Sequence, residues 1–313
     1  MDPRHVYARD LTSPGETRQD HARAVARGAE VRVHWGVYFD AVAWQSASFL
    51  ARYLLLIRAI CETRASRPVL SHWSAAAIHG LHIVGEWPDV VHITQSPGHG
   101  SRSHGRVVRH SLILHDSDVE EVDGMLVTTV ARTVVDIAAA STTLRAVVLA
   151  DSALHVDSFQ QTPGLTTTSE LVSAWERKLP FTGYARSKDV IDFAVDAADS
   201  PLESVSRVNM RLIGCPAPEL QVQHFDNAGF IAQTDFTWRA YRLVGEADGE
   251  QKYLDPKYRE GRSVERVVLD EKYREDRLRA LRLGVVRWPW KVAIDPSALA
   301  RRLKFHGLPV RAR

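Results

Sequence analysis

The sequence predicts a mixed α/β protein in which helices alternate with short strands. Three observations carry this. Residues 200–288 read helix, strand, strand, strand, helix, strand, from apolar spacings of three and four in the helices and turn residues between the strands. Residues 46–155 mix helices and short strands too. Hydrophobic residues make up 45% of the 313, enough for real cores in two or three domains. The expected division is a small helix-and-hairpin module at 1–45, an α/β domain at 46–155, a helical connector at 156–199 and an αβββαβ unit at 200–313.

Thr17 to Arg27 reads as a helix ending at Gly28. Residues 31–34 and 37–39 are two short strands around Trp35-Gly36. A helix followed by a basic hairpin is the order of a winged helix, with Arg18, Arg23, Arg27 and Arg32 as phosphate contacts. Little chain precedes Thr17 for the two earlier helices, so the module reads as a degenerate one. Gln45 to Arg64 is a long helix with Leu50, Tyr53, Leu54, Ile57 and Ile60 on one side, ended by Arg67-Pro68.

Val69 to Leu81, VLSHWSAAAIHGL, is a short helix whose small face permits close packing and which Gly80 terminates. Its His72 and His79 read as packing. Strands follow at 90–94, 106–110 and 125–129. The Gly/Ser/His loop 96–105 carries His99 and His104 at no metal-ligand spacing. Thr128-Thr129 opens a helix over Val130–Ala140, where Arg132 and Asp136, at i and i+4, are expected to pair on the surface. Arg145 to His155 is another helix.

VLSHWSAAAIHGL, VHIT and VTTVARTVVDIA, in that order, resemble the AbiEi family of antitoxins of abortive-infection, or type IV toxin–antitoxin, systems. The resemblance covers roughly 15–155. It implies an N-terminal winged helix that binds DNA and a following domain that opposes a nucleotidyltransferase toxin.

Gln161-Thr162-Pro163-Gly164 then breaks the chain. Thr167 and Glu170 form a capping box before a helix at 171–178, and Ser187 to Ala198 is a second helix. Ser200, Pro201 and Glu203 form another helix start, with Val205, Val208 and Leu212 as its apolar face. Cys215-Pro216-Ala217-Pro218 ends that helix. Strands follow at 220–225, 230–238 and 241–247, the first two joined by Asp226-Asn227-Ala228-Gly229.

The chemistry lies at these strand ends. Asp235 is near the end of the second strand, and Glu246 and Asp248 are at the end of the third. Positions i and i+2 share a strand face. Converging carboxylates make an oxygen-only site suited to Mg²⁺ or Mn²⁺, able to activate water for phosphodiester hydrolysis. Lys252 is in reach of a phosphate. Two plainer readings stand beside this one: Glu203 completes its capping box, and Asp248-Gly249 is a turn. Asp270 to Leu283 is a helix with Tyr273, Leu278 and Leu281 inward and Arg274, Arg277 and Arg282 outside. Gly284 ends it, 285–288 is a strand ahead of a last helix at 297–304, and Arg287 lies on that strand.

Glu203 on its helix, Gln-Thr-Asp-Phe at 233–236 and Leu-Val-Gly-Glu-Ala-Asp-Gly at 243–249 resemble the PD-(D/E)XK, or restriction-endonuclease-like, superfamily. The closest form is the group similar to very-short-patch-repair endonucleases. The resemblance implies Asp235 and Glu246 as metal ligands, Glu203 as an accessory acid and Arg287 facing the site. The superfamily's Lys two residues after the Glu is Asp248 here, and Lys252 is the candidate substitute.

Charge agrees with a nucleic-acid partner. Pro256 to Arg313 carries 16 Lys/Arg against 7 Asp/Glu, while the preceding 255 residues carry 24 against 31. A basic segment beside an acidic site suits a phosphate backbone, with Arg274, Arg277, Arg282 and Arg287 as its contacts. Two cysteines, Cys61 and Cys215, are too few for a disulfide framework and point to a reducing cytoplasm. No apolar run reaches the length of a membrane span, and the first residues are not a signal peptide. No G-x-S-x-G or H-E-x-x-H motif supports a small-molecule hydrolase. Two functions are therefore expected: a Mg²⁺-dependent DNA endonuclease fused to an antitoxin-like half, or a non-catalytic DNA-binding antitoxin or regulator that keeps the nuclease fold for binding.

Overall fold

The computed structural model describes residues 18–97, 103, 105–156, 162–248 and 264–310, and side chains only from 269 onward in the last of these stretches. The chain is mixed α/β, as its sequence predicts, and divides into two compact units. Unit 1 comprises 1–149 with 165–192, and unit 2 comprises 150–164 with 193–313.

Unit 1 begins with α1 (Arg18–Ala26) and the hairpin β1 (Glu30–His34) and β2 (Val37–Asp40). The single long helix expected from Gln45 is two: α2 (Ala41–Ser46) and α3 (Phe49–Glu62). The cause is capping. Asp40 accepts the Ala43 N–H at 2.8 Å, and Ser48 accepts the Ala51 N–H at 3.2 Å, so each side chain starts its own helix. Then come β3 (Val69–Leu70), α4 (His72–Ile78), β4 (Val91–Gln95), β5 (Val107–Ser111), β6 (Val119–Val122), β7 (Met125–Thr128), α5 (Val130–Ala140), α6 (Thr143–Leu154), α7 (Thr168–Lys178) and α8 (Tyr184–Phe193). The sheet order is β5-β4-β3-β7-β6. Val33 and Val37 of the hairpin share one apolar core with Leu56, Ile57, Ile93 and Val127.

Helix α5 is buried from Val130 to Ala139, as expected of a helix apolar on nearly every side. Arg132 sits inside it, 1% exposed. It does pair with Asp136, at 3.0 Å, but in the core rather than on the surface. Its Nη1 donates to Asp118 at 2.7 Å and its Nη2 to the Ile113 carbonyl at 3.1 Å. Arg177 and Lys178 of α7 add contacts to Asp118 and Asp136 at 3.1 and 2.5 Å. Burial works against ionised Asp136, yet the charges of Lys178 and Arg132, joined by His72 where acid protonates it, hold its pKa below the ordinary value.

Beside this network three imidazoles stack. His72 lies 3.6 Å from His110 between ring centres, and His92 Nδ1 is 2.9 Å from His110 Nε2. Burial is the main cause that pushes His72 down to about 3 and His92 to about 4, so both are neutral at pH 7. The unfolded chain takes these protons first on acidification. This stability is therefore complete above pH 6.5 and declines as pH falls toward the folded values, by about 1.4 kcal/mol per pH unit for each ring. Urea unfolding at pH 7 and pH 5 should show this loss. His92→Phe should reduce the slope, and an unchanged slope would assign the acid sensitivity elsewhere.

In unit 2, α9 (Pro201–Leu212) leads into β8 (Glu219–Asp226), β9 (Gly229–Trp238) and β10 (Leu243–Ala247), followed by α10 (Val264–Ala280), β11 (Gly284–Trp288), α11 (Trp290–Ala293) and α12 (Pro296–Phe305). The helix-strand-strand-strand-helix-strand order is the one the sequence predicts. The sheet runs β11-β10-β9-β8, with β10 and β11 parallel and the other pairs antiparallel. A parallel pair needs a crossover, which α10 supplies.

All five residues of β10 are buried, so the strand is covered on both faces. Val244 packs in one cluster with Leu278 of α10 and Ile231. On the other side Trp288 stacks on Phe236 at 5.4 Å and donates its indole N–H to Ser206 of α9 at 2.9 Å. Gly245 makes this possible, because a Cβ there would stand 2.6 Å from Trp288 Cη2. Gly245→Ala should therefore destabilise unit 2 by about 1–3 kcal/mol through overpacking. A wild-type denaturation midpoint would show that the ring shifts freely.

Candidate functional site

Each acid is positioned by a different device. Ser200 caps α9, its Oγ accepting the Glu203 N–H at 3.3 Å and donating to Glu203 Oε1 at 2.7 Å. Glu203 Oε2 accepts the Asp199 N–H at 3.0 Å and the Gln221 side-chain N–H at 2.9 Å. Glu203 thus ties down the helix start, but through the Asp199 N–H and the Ser200 hydroxyl rather than the Ser200 N–H that a capping box uses. It also reaches toward the second strand: Gln221 lies between the paired positions Leu220–Phe236 and Val222–Thr234, which is opposite Asp235. The other end of the Gln221 side chain accepts from Gln233 of the neighbouring strand at 2.9 Å.

Asp235 and Glu246 are brought together. The β9–β10 register pairs Gly245 with Phe236, so Glu246 and Asp235 are the next positions along it. Asp235 Oδ2 accepts the Ala247 N–H at 2.8 Å, which fixes the carboxylate where the ladder ends. Glu246 is only 8% exposed. Burial raises its pKa first, and the nearby charges of Asp235 and Glu271 raise it further, against Arg274 and Arg287.

Two arginines close over Glu246. Arg274 Nη2 donates to its two oxygens at 3.2 and 3.0 Å. Arg287 sits opposite it in the parallel β10–β11 register, with Nη2 2.9 Å from Oε2. Arg287 also contacts Glu271 and lies 3.5 Å from Asp248. Burial works against its charge, yet Glu246, Glu271 and Asp248 hold its pKa above the ordinary value.

The basic residues expected outside α10 are placed differently. Arg274 turns inward onto Glu246 and Glu271. Arg277 forms a two-pronged pair with Asp226, at 2.6 and 2.8 Å, and holds the β8–β9 turn through the Phe230 and Gly229 carbonyls. Arg282 is exposed, in a left-handed conformation past the end of the helix. A helical-wheel reading puts the three arginines outside because it cannot see that the strand end carries carboxylates. The sequence reading also missed Glu271. Its only signal is the three-residue spacing to Arg274. Lys252, His99 and His104 lie outside the described residues.

The oxygen-only donors Asp235 and Glu246 suit Mg²⁺ or Mn²⁺, with Asp248 close by. Among the described residues, no group of three or more His, Cys, Asp or Glu side chains is arranged to hold a metal ion. An ion here would rest on two carboxylates and water, which Mg²⁺ tolerates because it keeps much of its hydration. No helix among the described residues is long and apolar enough to cross a membrane.

Fold and site thus define a mixed α/β chain whose C-terminal unit carries a buried acid–arginine cluster at the end of a four-stranded sheet. No family model matches the chain. It is similar to two uncharacterized proteins of Mycobacterium tuberculosis, one from strain CDC 1551 / Oshkosh and one from strain ATCC 25618 / H37Rv. Each is 28% identical over 240 residues, which cover 77% of this chain and 81% of the relative.

Proposed function

We propose that unit 2 is a restriction-endonuclease-like module that binds Mg²⁺ or Mn²⁺ through Asp235 and Glu246 and hydrolyses DNA phosphodiesters. The N-terminal half acts as an AbiEi-like antitoxin domain toward a nucleotidyltransferase toxin in the cytoplasm. The observation that carries the nuclease reading is the juxtaposition of Asp235 of β9 with Glu246 near the end of β10, where the β9–β10 ladder stops, within the αβββαβ order. The ion would supply charge neutralisation and an activated water. Asp235, held by the Ala247 N–H, and Glu246 would fix its place. The half-buried thiols Cys61 and Cys215, both free, agree with a reducing compartment.

A second reading is favoured by a specific observation. Asp248 stands where the superfamily carries Lys, and it faces Arg287. On that reading the unit grips DNA without cutting it. The two are separated by incubating the full chain with supercoiled, linear, nicked and single-stranded DNA in Mg²⁺, Mn²⁺ or chelator. Metal-dependent cleavage that Asp235→Asn abolishes is the expected result. DNA retention without cleavage in every metal would establish the binding-protein reading instead.

A further inference from the structure

We propose that Arg274 is a displaceable cover on the Glu246 carboxylate: a divalent ion entering beside Asp235 takes Glu246 from it, and the released guanidinium takes a nucleic-acid phosphate. This inference rests on the metal reading of the site. It adds how the ion and the nucleic acid are coupled there.

Glu246 cannot serve an ion in the arrangement described above. Both of its oxygens lie against Arg274 Nη2, and Oε2 also lies against Arg287. Two guanidinium charges on one carboxylate oppose a third cation. One arginine has to leave, and the geometry separates the two.

Arg287 belongs to the sheet, opposite Glu246 in the register. Its Nη2 is off the hydrogen-bonding angle toward Glu246, but Nη1 contacts Glu271 and lies 3.5 Å from Asp248. It keeps acidic partners when Glu246 is withdrawn. Arg274 hangs from α10 and reaches Glu246 and Glu271 through a single nitrogen, Nη2. Its buried Nε meets no acceptor, and a third of the side chain is exposed. Arg274 is the more exposed of the two, 33% against 23%, and is the one with a path to solvent. A guanidinium freed beside a bound ion is suited to the next anion to arrive, and its planar fork matches a phosphate.

Coupling of this kind is reciprocal, so metal should raise DNA affinity and DNA should raise metal affinity. Mn²⁺ binding is measured by titration calorimetry on the full chain. DNA binding is measured by anisotropy of a short labelled duplex in Mn²⁺ or chelator. Wild type should bind DNA more tightly with Mn²⁺. Arg274→Gln should bind Mn²⁺ more tightly than wild type, on the order of tenfold, and lose the metal-induced gain in DNA affinity. Arg274→Lys, which keeps the charge but not the fork, should fall between them. Equal Mn²⁺ affinity in wild type and Arg274→Gln would overturn the exchange while leaving the metal site standing. No Mn²⁺ binding by either protein would overturn the metal reading and the exchange with it. If Arg274→Gln loses its fold by circular dichroism, the wild-type titration decides: DNA affinity indifferent to Mn²⁺ overturns the proposal.

Discussion

Arg132→Met is expected to destabilise unit 1 by about 3–5 kcal/mol, the usual cost of removing one partner from a buried ion network. Arg132 uses Nε, Nη1 and Nη2 on three separate acceptors, two of them fully buried carboxylates. Without it, Asp118 and Asp136, exposed by 0% and 1%, keep Arg177 and Lys178 as cationic partners among the described residues. A loss of that size is a large part of the total stability of a domain, commonly about 5–15 kcal/mol. Arg132→Lys should recover little, because an ammonium cannot span three acceptors. The diagnostic protein is the triple variant Arg132→Met, Asp118→Asn, Asp136→Asn. It should be more stable than Arg132→Met alone, because the buried charges go with their partner. Denaturant unfolding of the full chain measures all three. An Arg132→Met protein within about 1 kcal/mol of wild type, the spread of ordinary surface substitutions and small repackings, would show the network to be dispensable.

Glu246→Gln is expected to remove the metal response completely. Any ligand that binds only the folded state stabilises it by mass action, so Mn²⁺ in large excess should raise the melting temperature of wild type and leave Glu246→Gln unmoved. Asp235→Asn should behave the same way, and neither variant should cleave DNA. The pH dependence carries a sign. The folded-state pKa of Glu246 lies above its ordinary value of 4.5, chiefly through burial. The native state therefore holds this proton more tightly than the unfolded chain. Without metal, stability declines as pH rises from 4.5 through the raised value. Metal competes with that proton, so its stabilisation grows over the same interval. Glu246→Gln should lose both slopes. A wild-type melting temperature that is identical in Mn²⁺, Mg²⁺ and chelator at neutral pH would remove the metal site and leave the binding reading.

The candidate site was legible in the sequence to the extent that local rules reach it. Ser200, Pro201 and Glu203 announce a helix start, and Ser200 does cap the helix through the Glu203 N–H, although the Glu203 carboxylate returns to the Asp199 N–H and the Ser200 hydroxyl rather than to the Ser200 N–H of a full capping box. The acids at 235 and 246 can be placed on neighbouring strands, 246 near a strand end, because turn residues and alternation bound those strands. The partners of those acids could not be read. Glu271 and Arg274 come to Glu246 across a crossover helix, and nothing in their spacing reports which side of that helix meets the sheet. The same limit misplaced Arg132, whose i and i+4 pairing with Asp136 looks like any surface ion pair.

By itself the sequence determined the mixed α/β class, the order of elements in unit 2 and the adjacency of Asp235 and Glu246. These follow from periodicity, caps and turns, which act between residues close along the chain. Only the tertiary structure decided where the charges went. Burial of a charge depends on what the rest of the chain stacks over it: α7 brings Arg177 and Lys178 to the network around Arg132, and α10 with β11 brings two guanidinium groups to Glu246. Desolvation and ion pairing are set by neighbours distant in sequence, so they appear only once the chain has closed on itself.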